Sequence, residues 1–217
     1  MSTVRDRYRA LFERGESTER IEFFSDAVFA IAMTLLVLDI RLPAGLGDDV
    51  AAGLAELVPE IFAYVLSFAI IALNWMSHHR KFRVISGFDT RLIQLNLLLL
   101  LLVAFLPFPT SVLAENRAQV ASVVLYAATV AAISLAQLAL WVYARHAALL
   151  DESVDRGVFL YLARGLVVTP AVFLLSIVIA LLWSPDAAMY SWLLLIPASI
   201  VADRIGLTRA EPPVLPR

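Results

Sequence analysis

Asp26 interrupts an apolar stretch, Phe23-Phe24-Ser25-Asp26-Ala27-Val28-Phe29-Ala30-Ile31, a turn or two inside the start of a hydrophobic run. A carboxylate at membrane depth costs on the order of 2.5–3.5 kcal/mol when unpaired, so it must face a polar partner, face water or snorkel to the interface. A second group of polar residues closes another apolar run, Asn74-Trp75-Met76-Ser77-His78-His79-Arg80-Lys81-Phe82. Asn74 and His78 are i and i+4, one above the other on a helix face, a spacing suited to hydrogen-bonding Ser25 and Asp26 across a helix interface. Gln94 and Asn96 share that depth. Asp26 with His78 or His79 also has the residue types of a proton relay, because ionisable groups within spans mark such paths. The plainer alternative reads the histidines as interfacial residues beside a stop signal. Adjacent histidines point in different directions and no third ligand is evident, so no metal site is expected.

Other chemistries are excluded by what the chain lacks. With no cysteine there is no disulfide, thiolate nucleophile or iron–sulfur ligand. There is no Walker A, Gly-x-Ser-x-Gly or His-Glu-x-x-His pattern, so no catalytic residue and no cofactor are expected. No arginine ladder at every third position suggests a voltage sensor. No Gly-Tyr-Gly loop joins two spans to make a carbonyl filter. A formal net charge of −2 gives no reason to expect nucleic acid.

One further pattern lies on the same segment as Asp26. Ile31, Leu35 and Leu38 are spaced i, i+4, i+7, an aliphatic stripe with Thr34 beside it. Five residues of helix turn Asp26 about 140° away from Ile31, so the carboxylate and the stripe serve different neighbours. Taken alone, the stripe reads as lipid-facing or packing surface. Arg20, six residues before Asp26, is not its neighbour on the helix face.

The elements that carry these residues follow from composition. The 217 residues are 61% hydrophobic and 17% charged, with a mean hydropathy of +0.82, too little polar surface to wrap a soluble globule. Membrane lipid is therefore a partner. Crossing about 30 Å of hydrocarbon takes roughly 20 residues, and six runs qualify: Phe23–Ile40, Leu57–Met76, Leu92–Leu113, Val120–Tyr143, Val158–Trp183 and Met189–Ala202. The last is short and contains Pro197. Pro107, Pro109 and Pro170 are tolerated as kinks in lipid, and Ser134 and Gln137 are expected to hydrogen-bond between helices.

Of the 17 Lys and Arg, this arrangement leaves only Arg41 and Arg117 on one side. The bias puts both termini in the cytoplasm of a multi-pass cell-membrane protein. The apolar run continues past the small-residue triplet Ala30-Ile31-Ala32, which argues for a retained first helix over a cleaved signal peptide. The expected organisation is a basic segment 1–19, one all-α membrane domain 20–205 and a short stub 206–217.

Arg20-Ile21-Glu22-Phe23-Phe24-Ser25-Asp26 resembles the Arg-x-x-x-Phe-Ser-Asp signature that opens the first helix in the transmembrane protein 175 family of potassium channels. The resemblance continues through Ala27–Pro43 and returns in the Trp75 to Phe82 stretch with its His pair. It implies a homotetramer in which four first helices line a central pore, with potassium as the permeant ion. It also implies that Ile31, five residues after the signature Asp, is the narrowest ring. Leu35 and Leu38 would form the next rings, with the Thr34 hydroxyl near them. By the same resemblance Arg20, Phe24, Ser25 and Asp26, together with Asn74, Trp75 and His78, form a network that holds the helices together near the inner mouth. A proton-coupled or proton-permeable carrier is the competing expectation. A membrane enzyme or assembly factor without transport is a third.

Overall fold

The computed structural model of the protein describes residues 18–41 and 50–195, and these are helical apart from short connections. Helix α1 (Thr18–Leu35) continues as a 3-10 turn (Leu36–Asp39), and a short α2 (Val50–Glu56) precedes α3 (Val58–Phe82). Then come α4 (Thr90–Phe105), α5 (Pro107–Glu115), α6 (Val120–His146) and α7 (Arg156–Leu182). The described chain ends with α8 (Pro185–Ser191) and a 3-10 turn at Trp192–Leu194.

Five stretches are long and apolar enough to cross a membrane, namely Glu19–Asp39, Val58–Phe82, Thr90–Glu115, Val120–His146 and Arg156–Leu182. They correspond to the first five expected spans. The sixth, Met189–Ala202, begins in α8 and its 3-10 turn, and positions 196–202 lie outside the described residues, as do 1–17 and 203–217.

Two proline expectations come out differently. Pro107 has no N–H to continue the α-helical ladder, so α4 ends in a tighter turn, with Leu106 N on Val103 O at 3.2 Å, before α5 resumes. Pro170 instead sits inside an unbroken α7. The second span runs past its expected end at Met76, because Ser77 to Phe82 stay helical and bury His78, Lys81 and Phe82.

Side-chain caps fix where three helices begin. Asp89, Asp155 and Ser184 accept from Leu92 N, Val158 N and Ala187 N at 2.8, 2.7 and 3.1 Å. The second oxygen of Asp89 accepts from the Tyr143 hydroxyl, tying the start of α4 to the end of α6. Partial burial pushes the Asp89 carboxyl up, but that hydroxyl and the Leu92 and Arg91 amides outweigh it and hold the group below its ordinary value. The two connections at this end are joined: Ile85 and Leu150 form an antiparallel bridge, with Ser86 N on Leu149 O and Asp151 N on Val84 O, each at 2.9 Å.

The core centres on α6, whose small residues Ala127, Ala131, Ser134 and Ala136 are buried and let neighbouring helices approach closely. Tyr126, Phe173 and Trp192 meet with ring centroids 5.2–6.2 Å apart, joining α6, α7 and the last turn. The Tyr126 hydroxyl is 3.0 Å from Ser67 Oγ, which is 2.8 Å from Thr110 Oγ1. Thr110 Oγ1 in turn lies 2.9 Å from Leu106 O, so three buried hydroxyls satisfy one another across α3, α5 and α6.

Candidate functional site

Helix α1 has two faces of opposite fate. Ser25, Phe29, Ala32 and Leu36, at i, i+4, i+7 and i+11, are almost completely buried against the rest of the chain. Ile31, Thr34, Leu35 and Leu38 are exposed, with Ile31 at 57% and Leu38 at 61%. The helix wheel therefore holds: among the described residues, none covers the aliphatic stripe. Thr34 Oγ1 donates to Ile31 O at 2.9 Å, so its hydroxyl is turned back on its own backbone.

The buried face carries a hydrogen-bonded chain through three helices. Ser25 Oγ donates to Ile21 O at 2.7 Å and accepts from Asn96 Nδ2 of α4 at 2.9 Å. The Asn96 carbonyl oxygen faces His78 Nε2 of α3 at 2.9 Å. Because Asn96 has spent its amide on Ser25, its carbonyl can only accept, and the pattern assigns the proton to His78 Nε2. The imidazole lies against Phe82 at 4.2 Å between ring centroids and against Phe29 at 5.4 Å. Asp26 is held separately: Trp75 Nε1 of α3 donates to Asp26 Oδ1 at 2.8 Å.

Ser25 and Asp26 thus have cross-helix partners, but not those expected from spacing. Asn74 reaches neither of them; its Nδ2 donates to Ile70 O of its own helix at 2.8 Å. His78 meets Ser25 only through Asn96. The physical reason is rotation: α3 turns Trp75, one residue on from Asn74, toward α1. Phe24 is 55% exposed, so it does not hold helices together within one chain, and Arg20 is exposed at the start of α1.

Spacing also missed a second buried network. Lys81, only 3% exposed, places Nζ on Ser77 Oγ and, at 3.0 Å, on Gln137 Oε1 of α6. Gln137 Nε2 donates to Asn74 O at 2.8 Å. The expected helix-bridging role of Gln137 is realised, with a partner 56 residues distant that no periodicity reveals. A third cluster joins Glu22 and Asp26 of α1 to His79 of α3, the three donor atoms lying within 4.8 Å of one another.

The sequence model of the family described as "Endosomal/lysosomal potassium channel TMEM175" matches residues 20–107, from α1 into the junction of α4 and α5. A potassium channel of Streptomyces collinus is 42% identical over 142 residues, 63% of this chain and 69% of that one. The chain belongs to the TMEM175 family. Its fold agrees: the crystal structure of a lysosomal potassium-selective channel TMEM175 homologue from Chamaesiphon minutus superposes with a TM-score of 0.73 at 33% identity, covering 86% of this chain and 98% of that one. Two residues of the family signature, Ser25 and Asp26, bond α1 to α4 and α3, and the family consists of multi-pass membrane channels, not enzymes. The human relative, named endosomal/lysosomal proton channel TMEM175, is 33% identical over 143 residues, 58% of this chain and 27% of its own length.

Proposed function

We propose that this chain is one subunit of a potassium-permeable homotetrameric channel of the cell membrane, with six spans per subunit and both termini cytoplasmic. Four copies of α1 surround the pore. The observation that carries the reading is the division of α1 into a buried polar-and-aromatic face and an exposed stripe of Ile31, Thr34, Leu35 and Leu38. A single chain has no second copy of that stripe to close a path, so oligomerisation is required.

Ile31 forms the tightest ring, with Leu35 and Leu38 beyond it. A narrow aliphatic ring excludes water, and an ion must shed hydration to pass. Potassium holds its hydration less tightly than sodium, so such a ring favours potassium modestly. The buried network of Ser25, Asn96 and His78, with Asp26 on Trp75, acts on the ion only by fixing the rotation of α1. The resemblance of the signature segment and the names of the relatives support potassium as the permeant ion.

A second reading, proton permeation, is favoured by the human relative's name and by the closeness of Asp26, Glu22 and His79. His78 is poorly placed for that relay, since its proton is engaged by Asn96 and its ring is packed between two phenylalanines. One experiment separates the readings. Purified protein in potassium-loaded liposomes is expected to dissipate the potassium gradient when a protonophore balances charge, and to leave the internal pH unchanged when the protonophore is omitted. Acidification without protonophore, when valinomycin supplies the compensating potassium pathway, supports proton permeation, and no flux of either ion overturns both.

A further inference from the structure

Glu22 and Asp26 are i and i+4 on α1 and present their carboxylates to the same side, where His79 of α3 meets them. Glu22 Oε1 is 2.8 Å from His79 Nδ1, an ion pair when the ring carries a second proton, although the angle falls short of a hydrogen bond. With the ring neutral, one imidazole nitrogen and two carboxylate oxygens lie within 4.8 Å of one another on one side of the α1–α3 interface, a donor set that a cation can bridge. We infer that Glu22, Asp26 and His79 form a binding site for a divalent transition metal of the zinc class, tying α1 to α3.

The ligand chemistry selects the metal. One imidazole and two carboxylates suit zinc and its neighbours, whereas magnesium and calcium prefer all-oxygen shells. Zinc bonds of about 2.0–2.2 Å in a tetrahedron set donors roughly 3.3–3.6 Å apart. Donors already within 4.8 Å need about 1 Å of approach to reach that spacing, within the reach of side-chain torsions. Three protein ligands leave a fourth position for water.

Trp75 supports two of the three ligands at once. Its indole N–H donates to Asp26 Oδ1, leaving Oδ2 for a metal, and its ring stacks on His79 at 5.8 Å with an interplanar angle of 28°. Hydrogen bonds and packing of this kind orient ligands in metal sites. In the sequence alone, adjacent His78 and His79 gave no third ligand. The helix pairing supplies two, both from α1, and leaves His78 out.

The test is zinc titration of the untagged protein in detergent, followed by calorimetry. The site predicts one zinc per chain, reversal by chelator and no displacement by millimolar magnesium. Glu22→Gln and His79→Gln are each expected to weaken binding by at least the ~10–100-fold that loss of an orienting partner costs. Cobalt titration of the unmodified protein, which needs no variant to fold, is expected to give the intense visible absorption of a four-coordinate site. No saturable binding, or zinc binding unchanged in both variants, would overturn the site. Binding is read without ion flux, so its failure leaves the channel reading untouched, and the reverse holds too.

Discussion

Ile31→Asn is expected to raise potassium flux at least about tenfold and to erode the preference over sodium. Tenfold corresponds to removing ~1.4 kcal/mol from the barrier. A modest reduction suffices, because in the proposed tetramer the substitution acts at all four copies of Ile31 at once. Asparagine is smaller than isoleucine and offers an amide that holds water, so the constriction widens and wets and the ion no longer sheds its shell there. Ile31 is 57% exposed and, among the described residues, belongs to no core cluster, so the change is expected to cost little stability within the subunit. Flux measured in potassium and in sodium reads both effects, and unchanged currents would remove Ile31 from the pore.

The opposite division of effects is expected at Asp26. Asp26→Ala removes the acceptor of the Trp75 indole N–H and with it a tie between α1 and α3. Leaving a half-buried donor unpaired costs about 1–3 kcal/mol, and in the proposed tetramer every subunit carries that cost. Size-exclusion chromatography and thermal melting are expected to show fewer tetramers and a lower Tm, while the channels that do assemble keep their ion preference. Adding Trp75→Phe removes the stranded donor and is expected to recover part of the loss, since deleting both partners is far milder than deleting one. A stable tetramer with altered selectivity would mean that Asp26 acts on the ion itself.

The sequence made the elements and the faces of α1 legible, because both follow from periodicity and length. A run of apolar residues long enough for a bilayer reads directly, and an i, i+4, i+7 stripe set 140° from a carboxylate predicts two faces whatever surrounds them. Partners were less legible. Asn74 and Trp75 are adjacent, and only the rotation of α3 decides that the indole, and not the amide, meets Asp26. Asn96 was visible at the right depth, but its place between Ser25 and His78 depends on three helices meeting at once. The same limit hid Lys81 with Gln137, and Glu22 with His79, since each pair joins distant segments whose phases are fixed by packing. The end of α3 was misjudged by six residues for a related reason: Ser77 to Phe82 look like a polar stop until Gln137 and Asn96 are seen to receive them.

The absence of native cysteine makes one measurement especially direct. Ile31→Cys introduces a single thiol into each subunit. Conduction is recorded before and after a charged, membrane-impermeant methanethiosulfonate reagent, with mass spectrometry counting the labelled subunits. The account predicts that labelling alters or abolishes the potassium current, because the thiol projects into the ion path. A protein labelled at every subunit that still conducts as before would contradict it, and would return the stripe on α1 to lipid.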